Sequence, residues 1–130
     1  MQKAFQFPNK GHEDYIEAFT NEMNRQCQKL RLKKCRFCNP HGLQQKGNHA
    51  SASDILVLTN YALKYEMIAE VVSHHSHSCT LYTFDHLPRQ FRWENTNKLL
   101  NKFFVGGKTG ITPSAGPCLV NTFIFGPYSS

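Results

Sequence analysis

Lys108, Thr109 and Gly110 are the residues of this sequence whose types and spacing are best suited to chemistry. They follow an apolar stretch at 103–107, which is typical of a strand. An edge strand here would hold an ammonium and a hydroxyl in fixed positions beside a cleft, and the glycine would let a substrate backbone approach closely. Residues 115–119 follow the triplet in the sequence. The triplet together with this segment is less often found by chance than three common residues alone.

The elements that must position these residues are helices first and strands afterwards. Apolar residues recur at steps of three and four in the first half, and aromatic or β-branched residues dominate the second half. The predicted helices span 12–33, 53–64 and 66–73, and the predicted strands span 79–84, 91–93, 103–109 and 118–125. The loop 112–117 joins the last two strands as a hairpin. This order predicts the α+β class, with helices packed on a mainly antiparallel sheet.

Two further motifs accompany the triplet in the same chain, and the first of them has two parts. Residues 39–43 read Asn-Pro-His-Gly-Leu, residues 50–54 read Ala-Ser-Ala-Ser-Asp, and residues 95–100 read Asn-Thr-Asn-Lys-Leu-Leu. With Lys-Thr-Gly after them, these blocks resemble the serine-type D-Ala-D-Ala carboxypeptidases, penicillin-binding enzymes of the β-lactamase-like transpeptidase superfamily. The resemblance covers roughly positions 10 to 125 and implies a partial domain of that fold.

The resemblance implies a role for each residue of the triplet and for the residue after it. Lys108 and Thr109 would bind the terminal carboxylate of the substrate, and Gly110 would allow close approach of its backbone. The N–H group of Ile111 would be one oxyanion-hole donor. The implied partner is a peptidoglycan stem peptide or a β-lactam, and no metal or cofactor is expected.

The same comparison shows which family motifs this sequence does not contain. None of its serines has a lysine three residues later or an asparagine two residues later, so the Ser-x-x-Lys and Ser-x-Asn motifs are absent. We therefore expect residues 1–130 to be a single partial domain without the family's last strand and with little or no turnover. A truncated gene product, a half-domain completed by a missing N-terminal half, and a non-catalytic binding relative all remain open. The family works outside the cytoplasmic membrane, but no signal peptide opens this sequence.

A zinc-binding module is the alternative from another class of function. Cys35, Cys38, His41 and His49 offer four ligands, and the spacing of the two cysteines suits a zinc knuckle. A second set follows at His74, His75, His77 and Cys79. The later pair of that first set, His41 and His49, does not have the usual short spacing of a Cys/His repeat. His41 also belongs to the carboxypeptidase-like loop, where a locally bonded turn histidine is the preferred interpretation.

Charge and cysteine content limit the remaining classes. The formal net charge is +6, with a basic cluster at Lys29, Arg31, Lys33, Lys34 and Arg36. We interpret this cluster as a solvated helix end without a nucleic-acid partner, because no recognised binding module accompanies it. No apolar run is long enough to span a bilayer. The five cysteines are expected to be reduced and mostly buried, Cys118 included.

Overall fold

The computed structural model describes residues 12–101 and 103–123, in which the helices precede the strands. The elements are α1 (His12–Lys29), α2 (Ala52–Ala62), α3 (Glu66–Ser73), β1 (Ser76–Tyr82), β2 (Pro88–Glu94), β3 (Phe104–Thr112) and β4 (Gly116–Phe123). Each predicted element is present, and the predicted bounds of α3 are confirmed. The predicted strand residues 124 and 125 lie outside the described residues. No described helix is both long enough and apolar enough to cross a membrane.

The first helix ends earlier than its apolar periodicity predicted. Arg31 adopts a left-handed conformation with φ of 57°, and the N–H of Leu32 donates to the carbonyl of Cys27 at 2.9 Å. This geometry closes a helix end by pairing its last carbonyls. The apolar pattern continues past that point, which explains why the predicted end at residue 33 is wrong.

The described residues form two compact units that divide between Tyr61 and Ala62. In the first unit, Asn24 of α1 both donates to and accepts from the backbone of Phe37, at 2.7 and 2.9 Å. Arg36 and His49 form an isolated antiparallel bridge. The buried apolar side chains among the described residues of this unit are Cys27 and Leu32. The segment after α1 is therefore fastened by backbone and amide hydrogen bonds around a small core.

The loop at 39–43 is stabilised by its own side chains. The buried Asn39 donates to the carbonyl of Leu43 at 2.9 Å and accepts from the N–H of Gly42 at 2.9 Å. Gly42 has φ of 76°, a conformation that favours glycine. The ring of His41 accepts from the N–H of Leu43 at 3.2 Å, so its interpretation as a locally bonded turn histidine is confirmed.

Asp54 fastens the start of α2 to the segment after α1. Its carboxylate accepts from the N–H of Lys34 at 2.6 Å, and its own N–H donates to the hydroxyl of Ser51 at 3.1 Å. Ser51 thereby caps the helix.

Asp54→Ala should lower the free energy of unfolding by about 2 kcal/mol, because the N–H of Lys34 loses a charged acceptor in a partly buried hydrogen bond. Urea denaturation measures this change. Glu66→Ala, at an exposed position in the first turn of α3, is the matched control and should change stability by less than about 1 kcal/mol. Equal effects of the two substitutions would contradict the role given to Asp54.

The second unit contains two antiparallel hairpins. β1 pairs with β2, from Ser76 opposite Glu94 to Tyr82 opposite Pro88. β3 pairs with β4 through the loop that was predicted to join them, and Gly116 at the end of that loop has φ of 67°. The antiparallel character is confirmed, although the described strands form two two-stranded sheets rather than one continuous sheet.

Candidate active site

Two glycines before the Lys-Thr-Gly triplet fix the position of β3. A Cβ built on Gly106 would lie 2.5 Å from Cγ2 and 3.0 Å from the carbonyl oxygen of Val72 in α3. A Cβ built on Gly107 would lie 2.1 Å from the carbonyl oxygen of Val120 in β4. Both contacts are shorter than side chains permit, so β3 packs against α3 and β4 more closely than any residue except glycine allows.

The triplet then runs along the middle of β3, opposite β4. Thr109 lies opposite Leu119, Gly110 opposite Cys118, and Ile111 opposite Pro117. A cleft of about 450 Å³ opens here. It is lined by Thr96, Asn97, Lys98, Leu99, Thr109, Gly110, Ile111, Pro117, Cys118 and Leu119. Of the four predicted site residues, the structure brings Thr109, Gly110 and Ile111 together in its wall.

Lys108 is exposed and does not line this cleft. Its ammonium donates to the carbonyl of Thr109, so the side chain follows the strand. A Cβ built on Gly110 would have the Lys108 Nζ at 3.8 Å as its only contact within 4 Å. The ammonium therefore lies over a glycine that does line the cleft. Among the described residues no carboxylate pairs with Lys108, so its charge is available to an anionic ligand at the cleft margin.

The hydroxyl of Thr109 has a partner that the sequence did not indicate. Its Oγ1 is 2.5 Å from Oγ1 of Thr96, which lines the same cleft. A hydroxyl carries one hydrogen and two lone pairs. Each threonine thus keeps capacity for a further hydrogen bond, and the contact restricts the rotation of both side chains.

Asn95 and Asn97 hold the segment that carries Thr96. Asn95 donates through its side chain to the carbonyl of His74 at 2.9 Å and accepts from the N–H of Asn97 at 2.9 Å. Asn97 is buried, donates to Oδ1 of Asn121 at 2.9 Å and accepts from the N–H of Leu99 at 3.1 Å. These two asparagines thus fasten the backbone before β3.

Several cleft residues were missed by sequence reasoning. Lys98 lines the cleft, and its ammonium donates to the carbonyl of Asn95 at 3.3 Å. It lies within the motif at 95–100, which was the available signal. Pro117, Cys118 and Leu119 enter through their register opposite the triplet. A hairpin predicted over 112–117 contained this information, because its turn sets which residues face each other.

The cysteines are less buried than predicted. Only Cys27 is buried among them, Cys118 is exposed, and the remaining three are intermediate. The prediction of a buried thiol at Cys118 is therefore wrong. It lies in β4, whose burial pattern shows no buried position.

The zinc alternative is not supported. Within the described ranges, no group of three or more His, Cys, Asp or Glu side chains could hold a metal ion. The rings of His41 and His49 bond instead to the backbone of Leu43 and Gly47, at 3.2 and 2.8 Å. In the second set, His74 bonds to the carbonyl of Glu70 at 2.6 Å, and His77 stacks on Trp93 with ring centroids 6.3 Å apart.

Comparison with known sequences identifies related proteins. Residues 14–125 match the profile of a family described as D-alanyl-D-alanine carboxypeptidase. The D-alanyl-D-alanine carboxypeptidase DacF of Bacillus subtilis (strain 168) is 35% identical over 106 residues, or 79% of this chain and 26% of that protein. DacD of Escherichia coli (strain K12), of the same description, is 31% identical over 121 residues, or 87% of this chain and 29% of that protein. The chain thus spans under a third of the length of these curated relatives.

Solved structures show the same fold. The DD-transpeptidase of Streptomyces K15 is 25% identical, with a TM-score of 0.86 over 92% of this chain and 47% of that chain. A D-alanyl-D-alanine carboxypeptidase from Mycobacterium tuberculosis H37Rv has a TM-score of 0.70 at 22% identity, over 85% of this chain and 41% of that chain. The predicted α+β class is confirmed, with the fold of the transpeptidases and β-lactamases.

Proposed function

Because the chain belongs to the D-alanyl-D-alanine carboxypeptidase family, we propose that β3 supplies the carboxylate-binding side of a site for peptides that end in D-Ala-D-Ala. Such peptides are the stem peptides of peptidoglycan, and β-lactams are the corresponding inhibitors. The observation that carries the proposal is the hydroxyl of Thr109 in the cleft wall, with the ammonium of Lys108 over the next residue.

An ammonium and a hydroxyl side by side are suited to a terminal carboxylate. The ammonium of Lys108 supplies a charge-assisted hydrogen bond, which is stronger than a neutral one. Thr109 adds a hydrogen bond whose direction is set by its contact with Thr96. Binding requires the ammonium to exchange the carbonyl of Thr109 for the ligand, a short side-chain rotation.

Gly110 and Ile111 complete the proposed roles in β3. A Cβ built on Gly110 would have the Nζ of Lys108 at 3.8 Å as its near contact. The glycine thus leaves space in which an extended ligand can approach the strand closely. The N–H of Ile111 is the proposed oxyanion donor. Such a donor is worth about 3 kcal/mol in a transition state, but only where a nucleophile creates the oxyanion.

This sequence does not contain the family's nucleophile motif, since none of its serines has a lysine three residues later. We therefore propose that the chain binds its ligand without forming an acyl-enzyme. A fluorescent penicillin distinguishes the cases. Covalent labelling of the chain by itself would show a reactive serine and would overturn the non-catalytic proposal.

Lys108→Gln should weaken binding of a D-Ala-D-Ala peptide by roughly tenfold or more, because a hydrogen bond to a charged group is lost. Chemical-shift titration with the wild-type and variant chains measures the change. Lys46→Gln removes the same charge at an exposed loop position and is the matched control, with unchanged affinity expected.

A peptide with an amidated C-terminus tests the same contact from the ligand side. It should bind the wild-type chain as weakly as the acid peptide binds the Lys108→Gln variant, and the variant should not distinguish the two peptides. If Lys108→Gln still prefers the acid by the wild-type factor, the carboxylate lies elsewhere and the assignment of Lys108 fails.

A further inference from the structure

Two cysteines face each other where α1 ends. Sγ of Cys27, in the last turn of α1, is 3.6 Å from Sγ of Cys35. Cys27 is buried and Cys35 is partly exposed. Sulfur atoms this close need to approach by only about 1.5 Å to reach the length of a disulfide bond. Rotation of the two side chains can supply a movement of that size without a change in the backbone.

The backbone around both residues is held in place. The carbonyl of Cys27 accepts from the N–H of Leu32 at 2.9 Å. On one side of Cys35, the N–H of Lys34 donates to Asp54 at 2.6 Å. On the other side, Arg36 exchanges two backbone hydrogen bonds with His49, at 2.8 and 3.1 Å. The two thiols therefore face each other because fixed segments present them.

The neighbouring Cys38 is not part of this pair, although it lies three residues after Cys35. A Cβ built on Gly47 would be 3.0 Å from Sγ of Cys38, so this thiol is directed at the turn before His49. Its backbone N–H donates to the side chain of Asn48 at 2.5 Å, which fixes its position there. The structure thus favours the pair across the end of α1 over the Cys-x-x-Cys pair.

We propose that Cys27 and Cys35 are a redox modification site, which a small disulfide oxidant converts selectively to an intramolecular disulfide. The partly exposed Cys35 attacks the oxidant first, forms a mixed disulfide and releases one thiol. Cys27 then attacks the Cys35 sulfur, and a second thiol leaves. Both protein S–H bonds are lost, one S–S bond forms, and the oxidant is reduced to two thiols.

The environment of Cys35 makes this conversion slow without a catalyst. Burial, and then the hydrogen bond with Cys27, raise the pKa of the Cys35 thiol to about 12. The thiolate is the attacking species, and little of it forms at neutral pH. The disulfide would link α1 to the bridged segment that precedes the loop at 39–43, and it would stabilise the first unit by restricting its unfolded chain.

The experiment uses the full chain of 130 residues, equilibrated with oxidised glutathione at pH 8. The expected product is a monomer whose peptide map joins Cys27 to Cys35, with a loss of about 2 Da in the linked peptides. Its unfolding midpoint should rise by about 5 °C relative to the reduced chain, and dithiothreitol should reverse the rise.

Two variants keep the proposal testable. Cys35→Ser should abolish both the mass loss and the rise of the midpoint. A chain with Cys38, Cys79 and Cys118 all replaced by serine should retain both. A Cys35–Cys38 bond, a mixed disulfide that persists on Cys35, or two thiols unchanged at equilibrium would each overturn the proposal. Neither result depends on peptide binding, so the proposed function is tested separately.

Discussion

Gly107→Ala is expected to destabilise the protein by at least about 3 kcal/mol, the largest effect of any single methyl group along β3. The added Cβ would lie 2.1 Å from the carbonyl oxygen of Val120 and 3.1 Å from the α-carbon of Asn121. Both are backbone atoms of β4, so no side-chain rotation relieves the overlap. The hairpin has to open or shift its register, and the triplet that follows Gly107 would lose its position beside the cleft.

Urea denaturation gives the change in stability, and amide hydrogen exchange in β3 and β4 shows where it arises. Gly110→Ala is the matched control in the same strand, because its Cβ meets only the flexible end of Lys108 at 3.8 Å. We expect that variant to unfold within about 1 kcal/mol of wild type. Equal stabilities of the two variants would show that β4 does not approach Gly107 as described.

Asn97→Leu is expected to cost about 3 kcal/mol, since it removes two hydrogen bonds that the buried Asn97 makes and leaves both of its partners unpaired. The N–H of Leu99 loses its acceptor, and Oδ1 of Asn121 loses its donor. Within the described residues, Nδ2 of Asn121 is already buried without a partner. A leucine of similar volume therefore removes the polar link between the segment at 95–100 and β4 without opening a cavity.

Asn97→Asp distinguishes the loss of hydrogen bonds from the change of shape. A carboxylate can still accept from Leu99, and the amide of Asn121 can rotate so that its unpartnered Nδ2 donates to the second oxygen. The aspartate variant should therefore be less destabilised than the leucine variant in thermal denaturation. Asn21→Leu, at an exposed position of α1, serves as the control and should stay within about 0.5 kcal/mol of wild type. A leucine variant as stable as this control would contradict the role of Asn97.

The two predictions concern opposite walls of one cleft. Gly107 sets the approach of β3 to β4, and Asn97 sets the position of the segment that carries Thr96. The hydroxyls of Thr96 and Thr109 meet at 2.5 Å only if both walls are in place. Loss of either wall should therefore weaken peptide binding as well as stability, and binding should be compared at temperatures where each variant remains folded.

Local signals in the sequence determined the elements and the family. The bounds of α3 and the hairpin after β3 were predicted because apolar periodicity and turn residues act over a few neighbours along the chain. The carboxypeptidase resemblance rested on three motifs in order, and the match of residues 14–125 to the family confirms it. The early end of α1 was missed because Arg31 adopts a left-handed conformation that periodicity does not reveal.

Only the tertiary structure decided which side chains meet. Thr96 and Thr109 are 13 residues apart, and nothing in either motif indicated that their hydroxyls touch. The spacing of Cys35 and Cys38 suggested a shared ligand site, yet Cys35 faces Cys27 and Cys38 faces the turn at Gly47. Contacts of this kind depend on strand register and on how segments fold back on each other, and these are set by packing over the whole unit rather than by neighbours in the chain.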